Sequence, residues 1–528
     1  MPLPLPNSSW PPAPWDTAYK AYEENEAWYL GDVKTLEALY GNSQAVRPSH
    51  RVRGQDRTGG VVGAMSRFFW GRPVPDGENR TRLHVPAAAD LASIASDAVF
   101  SDPPEVQLLE DTKIPETAQA RLDLIANSDA AHAMYNTMGE LKSVFGATVI
   151  VSEWDTSIAD NVWLSTYGVD IVIPEFRKGK LVAATMWTEY RNGNVYWRHL
   201  ERHEPGMIEH ALYEGSADKL GRVVPLQDRP ETAYLAGIVN ADSRILTGID
   251  RLTVSYNLNA PTRAWRKKGD LAFAGRSDFA GMHPLFDALD ETMSSWMRDL
   301  KLGGGKLLLD QALVDTLGGP GAGGGFDMGR EAILALNMPN MGGQKLIDKV
   351  QFEIRVDDHE RTANYLLKKI FRSAGQGVRG IGIGNDEAGD VTATGELARD
   401  KREEITRNKK ILYDKQAIAE QSSVALELDG KLFPGKGGGR FDLPLVVFPD
   451  VSQVDPEKNA RTIQLLDAAA AASIQRKVEL ANPDWDEKLV TEEVARIKEE
   501  RGTMSPDPST FTGVDEPADE PVDEVVVP

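Results

Sequence analysis

At Gly146 the apolar rhythm of the chain changes, and that change limits the folds open to it. Before it, WDTAYKAYEENEAWYLGD, HVPAAADLASIASDAVFSDPP and the stretch from Ala118 to Lys142 repeat apolar residues at helical spacing, the second closed by Asp102-Pro103-Pro104. After it, ATVIVSEWD, VDIVIPEF, LVAATMWTEY, NVYWRHLERHE and MIEHALYEG sit between Gly, Asn and Pro punctuation, as an antiparallel sheet with hairpins requires. Helical spacing returns near Ser277, with Leu285, Leu289, Met293, Trp296, Met297 and Leu300 on one face. Strands segregated between runs of helix predict an α+β architecture.

The second half has its own order. The helix from Ser277 stops at Gly303-Gly304-Gly305, and a compact insertion follows with strand candidates KLLLD, AILALN and KVQFEIRV around GGPGAGGGFDMG. DDHERTANYLLKKIFRSAG then predicts a helix, with Asp357 and Glu360 spaced as a capping box. It runs into SAGQGVRGIGIGNDEAGDVTATG, and a charged helix extends from Thr392 to about Ser423. GQGVRG matches the G-x-G-x-x-G dinucleotide fingerprint, yet a helix precedes it where a strand must end, so the glycines predict reach and flexibility and no cofactor. LPLVVF reads as a strand; Asp455-Pro456 and WDEKLVTEEVARIKEER open two last helices.

Composition bounds the classes. The 528 residues are 41% hydrophobic with no run long enough to cross a bilayer, and MPLPLPNSSWPPAPW lacks the charged and apolar parts of a signal peptide. No membrane partner and no general export are expected. Zero cysteines exclude disulfides and thiolate metal sites. A net charge of -21 means that any attraction to nucleic acid must come from a local patch. VDEPADEPVDEVVVP supplies six of the acids, so the acidity is not a tail effect alone; the tail is expected to be disordered.

Three motifs suggest chemistry and fall short of it. HLERHEPGMIEH gathers His199, Glu201, His203, Glu204 and His210 but is not H-E-x-x-H, and alternation makes its strand face equally a solvated one. GKLFPGKG has Gly437 where a P-loop needs Ser or Thr, so it reads as a turn. VDDHE offers a carboxylate cluster for a metal-dependent DNA-processing enzyme, while acids in a first helical turn also complement the macrodipole. No catalytic residue, metal or cofactor is expected.

Taken in order, LHVPAAADLASIASDAVFSDPP, VYWRHLERHEPGMIEHALYEG, LGRVVPLQDRPETAYLA, GRSDFAGMHPLFDALDETMSSWMRDLKLGGGKLLLD, VQFEIRVDDHERTANYLLKKIFRSAG and TATGELARDKREEITRNKKILYDK resemble the portal proteins of tailed bacteriophages, especially those infecting actinobacteria, from about Trp15 to Arg501. The resemblance implies a portal fold, with an α/β wing, helical stem, small α/β clip, long helix after the tunnel loop, and helical crown. The implied division is 1–14 flexible N-terminus, 15–276 wing, 277–302 first stem helix, 303–355 clip, 356–374 second stem helix, 375–391 tunnel loop, 392–454 long wing helix and strand, 455–504 crown and 505–528 disordered acidic tail. It implies a non-enzymatic dodecameric ring at a capsid vertex of the virion, assembled in the host cytoplasm, that conducts double-stranded DNA for packaging and ejection. Implied partners are terminase, a head-completion adaptor, the major capsid protein and a scaffold. A structural adaptor or baseplate protein is the other non-enzymatic alternative. Candidate channel-lining residues are Arg361, Lys368 and Arg372 on the second stem helix and Gln376, Arg379 and Asn385 in the loop. Arg361, Lys368 and Arg372 fall at i, i+7 and i+11, one stripe, which equally suits pairing with Asp287, Glu291 or Asp299 on the preceding helix.

Overall fold

The computed structural model describes residues 3–41, 83–109, 115–303, 306–310, 333–336, 347–350, 354–377, 393–449, 456–469, 471–482, 485 and 487–503. The fold is α+β, and the chain divides into two units, Met1–Pro449 and Asp450–Pro528.

The first unit opens with helices α1 (Trp15–Leu30), α2 (Val33–Gly41) and α3 (Ala87–Phe100), strand β1 (Glu105–Gln107), and helices α4 (Glu116–Ala126) and α5 (Asp129–Phe145). Ser128 caps α5 by accepting from the Ala131 N–H, and Gly146 ends it in a left-handed conformation at φ 90°. A Cβ on Gly146 would stand 2.6 Å from the backbone nitrogen of Ser277, so only glycine lets the chain turn there from helix into strand.

Strands follow: β2 (Ala147–Glu153), β3 (Trp163–Gly168), β4 (Val172–Arg177), β5 (Lys180–Asn192), β6 (Val195–Glu204), β7 (Met207–Ser216), β8 (Lys219–Val224), β9 (Arg244–Leu246) and β10 (Val254–Leu258). They form a three-stranded antiparallel sheet, β10-β2-β3, and an antiparallel meander β4 to β8 with β9 added to β7. Val149, Val151 and Val254 of the first sheet bury against Val172, Ala184 and Met186 of the second.

Helix α6 (His283–Gly303) leads to a small sheet in which β11 (Lys306–Asp310) lies between a parallel β12 (Ile333–Leu336) and an antiparallel β13 (Ile347–Val350). Helices α7 (Val356–Ala374) and α8 (Ala393–Leu432) and strand β14 (Leu445–Val447), paired with β1, complete the unit. The second unit holds α9 (Pro456–Ala468), α10 (Ile474–Ala481) and α11 (Glu487–Thr503).

Helix α8 is held by buried polar pairs. Lys410 Nζ meets Asp278 at 2.5 Å, Asp414 takes the Lys142 ammonium and the Asn257 amide (2.7 Å), Gln421 donates to Ser152 Oγ and the Thr253 carbonyl, and Asp429 accepts from Arg121 at 2.7 and 2.9 Å. Between them Ile411, Ile418, Leu426 and Leu428 join Leu122, Ile125, Tyr135 and Met138 in one apolar cluster.

The structure departs from several expectations. Residues 3–14, expected to be flexible, are tied to β8: Asn7 N–H donates to the Gly221 carbonyl, Trp10 N–H to the Asp218 carbonyl, and Trp10 is buried beside Trp187. Residues 277–282 form turns before α6, because Ser277 Oγ accepts from the Phe279 N–H and donates to the Ser143 carbonyl. No capping box forms on α7, since Arg355 holds the N-cap position and Asp357 lies inside the first turn. Helix α8 continues nine residues past Ser423 because Val424, Ala425, Leu426 and Leu428 are buried on all sides, which erases a one-sided period.

Candidate functional site

Helix α7 has two unlike sides. Ala363, Ile370 and Phe371 are buried and, with Leu366, Leu367 and Ala374, join Phe286, Leu289 and Met293 of α6 in the largest core. The opposite side exposes Asp358, Arg361, Tyr365 (67% exposed), Lys369 and Arg372. Near its N-terminus α7 is fastened to α6: Arg355 and His359 reach Asp299 at 2.9 and 3.0 Å, and the His359 ring stacks on Trp296, 6.1 Å between centroids. Those partners, His359 first and Arg355 second, hold the Asp299 carboxyl below its ordinary range.

The stripe is therefore partly redrawn. Arg361 and Arg372 lie on the exposed side, whereas Lys368 is half-buried and its neighbour Lys369 takes the outward position. Among the described residues no ion pair engages Arg361, Lys368, Lys369 or Arg372; Asp299 is taken by Arg355 and His359. Gln376, expected to line a channel, is buried, because the chain turns back at Gly375 and the Gln376 N–H caps the helix at the Phe371 carbonyl. Arg379 and Asn385 lie outside the described residues.

The first two glycines of the fingerprint have structural duties. Gly375 closes α7 at φ 84°, and a Cβ there would also meet Thr406 of α8 at 2.6 Å; Gly377 passes over Glu403. A helix thus enters this motif where a dinucleotide site needs a strand. Gly375→Ala is expected to cost about 1–2 kcal/mol, read from denaturant midpoints, because alanine is strained in the left-handed region. A neutral effect would show that the αL cap is dispensable.

The remaining motifs are engaged elsewhere. Asp357, Asp358 and Glu360 are exposed and His359 is held by Asp299. In GKLFPGKG, Lys436 pairs with Asp160, and a Cβ on Gly437 would stand 2.5 Å from the Thr117 carbonyl, so the turn packs on α4. His199, His203 and His210 do not form a solvated face: they are 8%, 1% and 4% exposed, with His203 facing Thr253 beside the three-stranded sheet. No group of three acids or histidines among the described residues is arranged to hold a metal ion, and none of the described helices is long and apolar enough to cross a membrane.

Neither a family model nor a curated relative matches the chain. Among solved structures it is similar to a chain in the neck of an empty gene transfer agent (GTA) particle computed with C6 symmetry, at 12% identity, covering 75% of this chain and 90% of that one with a TM-score of 0.39. It is also similar to a chain of the native GTA virion (14%, 78% and 95%, TM-score 0.38) and to one in the native GTA neck computed with C12 symmetry (12%, 75% and 89%, TM-score 0.37).

Proposed function

We propose that the chain is the portal subunit of a tailed-phage particle, a dodecameric ring at one capsid vertex of the virion through which double-stranded DNA is packaged and ejected. The observation that carries this reading is α7, whose apolar side is buried against α6 while Arg361, Tyr365, Lys369 and Arg372 stand exposed without ion pairs among the described residues. The order of elements supports it: a helix, a small sheet, a returning helix, a glycine-rich segment and a 40-residue helix, with sequence resemblance along nearly the whole chain.

In a ring, cyclic symmetry repeats each side chain into a band. Net charge of -21 keeps most of the surface repulsive to phosphate, so DNA slides, and sparse bands of arginine and lysine give short-lived holds. The ring acts as conduit and docking platform without hydrolysing nucleotide: terminase docks during packaging in the host cytoplasm, a head-completion adaptor afterwards, and the capsid protein and scaffold surround the vertex.

Electron microscopy and mass measurement of the full chain test the reading. A ring with an axial hole is expected. A stable monomer or dimer at all concentrations, cleaving DNA with a divalent metal, would replace it with the enzyme reading.

A further inference from the structure

HLERHEPGMIEH folds into a buried seam. On β6 and β7, Glu201 stands opposite His210, His203 opposite Ile208 and His199 opposite Leu212, and on β5 the same face continues through Thr188, Met186 and Ala184. Two apolar clusters share this face. Ala184 and Met186 join the core between the sheets, and Leu212 joins Val224, Leu226 and Leu235. The histidines lie between the two.

The rings of His199 and His210 are parallel within 3°, with centroids 5.4 Å apart and Nε2 of the first 3.2 Å from Nδ1 of the second. His203 Nδ1 is 2.6 Å from Thr253 Oγ1, just before β10, and its Nε2 is 3.1 Å from Glu201 Oε1. His210 Nε2 is buried without a hydrogen-bond partner among the described residues. Two neutral rings satisfy this geometry with one N–H···N bond. One added proton is tolerated, since an imidazolium still finds the other ring's lone pair and Glu201 is near. A second proton sets N–H against N–H and places two cations in contact away from water.

The charged and titratable groups facing the seam are Glu201 and His203 on β6, His210 on β7, Tyr190 at the far end of the same face on β5 with Arg229 over its ring, Glu153 on β2, Tyr167 on β3, Asp155 after β2, and Tyr234 in the turn Tyr234–Gly237. Glu153 is already occupied, accepting from Tyr167 Oη at 2.6 Å and Ser165 Oγ at 2.9 Å.

We propose that this cluster makes the buried face of the meander acid-sensitive: it stays packed while His199 and His210 share one hydrogen across β6 and β7 and His203 is bonded to Thr253 beside the three-stranded sheet, and it loosens when both rings of the His199–His210 pair are protonated. Burial pulls both histidines down against the pull of Glu201, and His210, opposed also by the charges of His199 and His203, falls to about 4. Burial raises the Glu201 carboxyl, but His203, His210 and His199 outweigh it and hold it at about 2, so the counter-charge persists through the window. Because the folded histidine values lie below the ordinary value near 6.5, stability is full above that pH and is lost as pH falls toward the folded values.

Hydrogen exchange of the full chain, corrected for intrinsic rates and compared between about pH 7.5 and about pH 5, reads this loosening directly. Local opening of β2, β3, β6 and β7 is expected to rise up to about tenfold per pH unit for each histidine, while the C-terminal half of α8 stays protected. His210→Leu should flatten that profile, and Glu201→Gln, which removes the upward pull on both rings, should steepen it. Parallel profiles in wild type and both variants, or loss spread evenly into α8, overturn the proposal. Should His210→Leu not fold, Glu201→Gln decides alone, and an unchanged or shallower profile overturns it.

Discussion

Asp414→Ala is expected to cost about 3–5 kcal/mol of stability, the usual penalty for stranding one partner of a buried ion pair. Lys142 and Asp414 have side chains 1% and 0% exposed, and burial already pulls the Lys142 ammonium down while Asp414 pulls it back up. Without the carboxylate, the ammonium loses its main counter-charge and the Asn257 amide loses its 2.7 Å acceptor. Denaturant unfolding at fixed protein concentration measures the loss as a shift in midpoint with unchanged slope. Removing both charges, as Lys142→Met with Asp414→Leu, should recover most of it, since two apolar groups of similar volume avoid the desolvation cost. A single-variant loss below about 1 kcal/mol would show that water reaches the pair and screens it.

Neutralising the exposed side of α7 has the largest functional consequence expected. Arg361→Gln, Lys369→Gln and Arg372→Gln together should leave assembly intact, because each side chain is exposed and makes no ion pair among the described residues. In the proposed ring, DNA retention should weaken, and its dependence on log salt should become shallower by about 0.9 for each phosphate no longer neutralised. Lys368→Gln alone should do less, its side chain being half-buried. Failed assembly with normal DNA handling in the survivors would instead make this side an interface between subunits.

The sequence carried the helical elements well and their surroundings poorly. The turn at Gly146, the apolar side of α7 and the hairpins β5 to β7 follow from local period and punctuation. Strands β1 and β10 did not, for they pair across long separations: β10 meets β2 more than a hundred residues upstream, and β1 meets β14. On α7, about 100° per residue places Lys368 roughly 20° to one side of Arg361 and Lys369 about 80° to the other. Period alone cannot say which margin is covered, and it is Lys368 that is half-buried while Lys369 stays exposed. For the same reason, alternation in HLERHEPGMIEH could not distinguish a solvated face from a buried one, because Thr253, which His203 faces, comes from a distant stretch.

Forty residues at 1.5 Å each make α8 about 60 Å long. Its polar partners are spaced along residues 410 to 429 like teeth in a keyway, each matched to a different neighbour. A slip by one turn, about 5.4 Å, would carry Asp414 away from Lys142 and Asp429 away from Arg121 together, and a rotation would do the same. Apolar side chains alone would let a rod creep under axial force; these teeth do not. The register of α8 within its unit is therefore fixed both along and around its axis by polar matching as well as by burial.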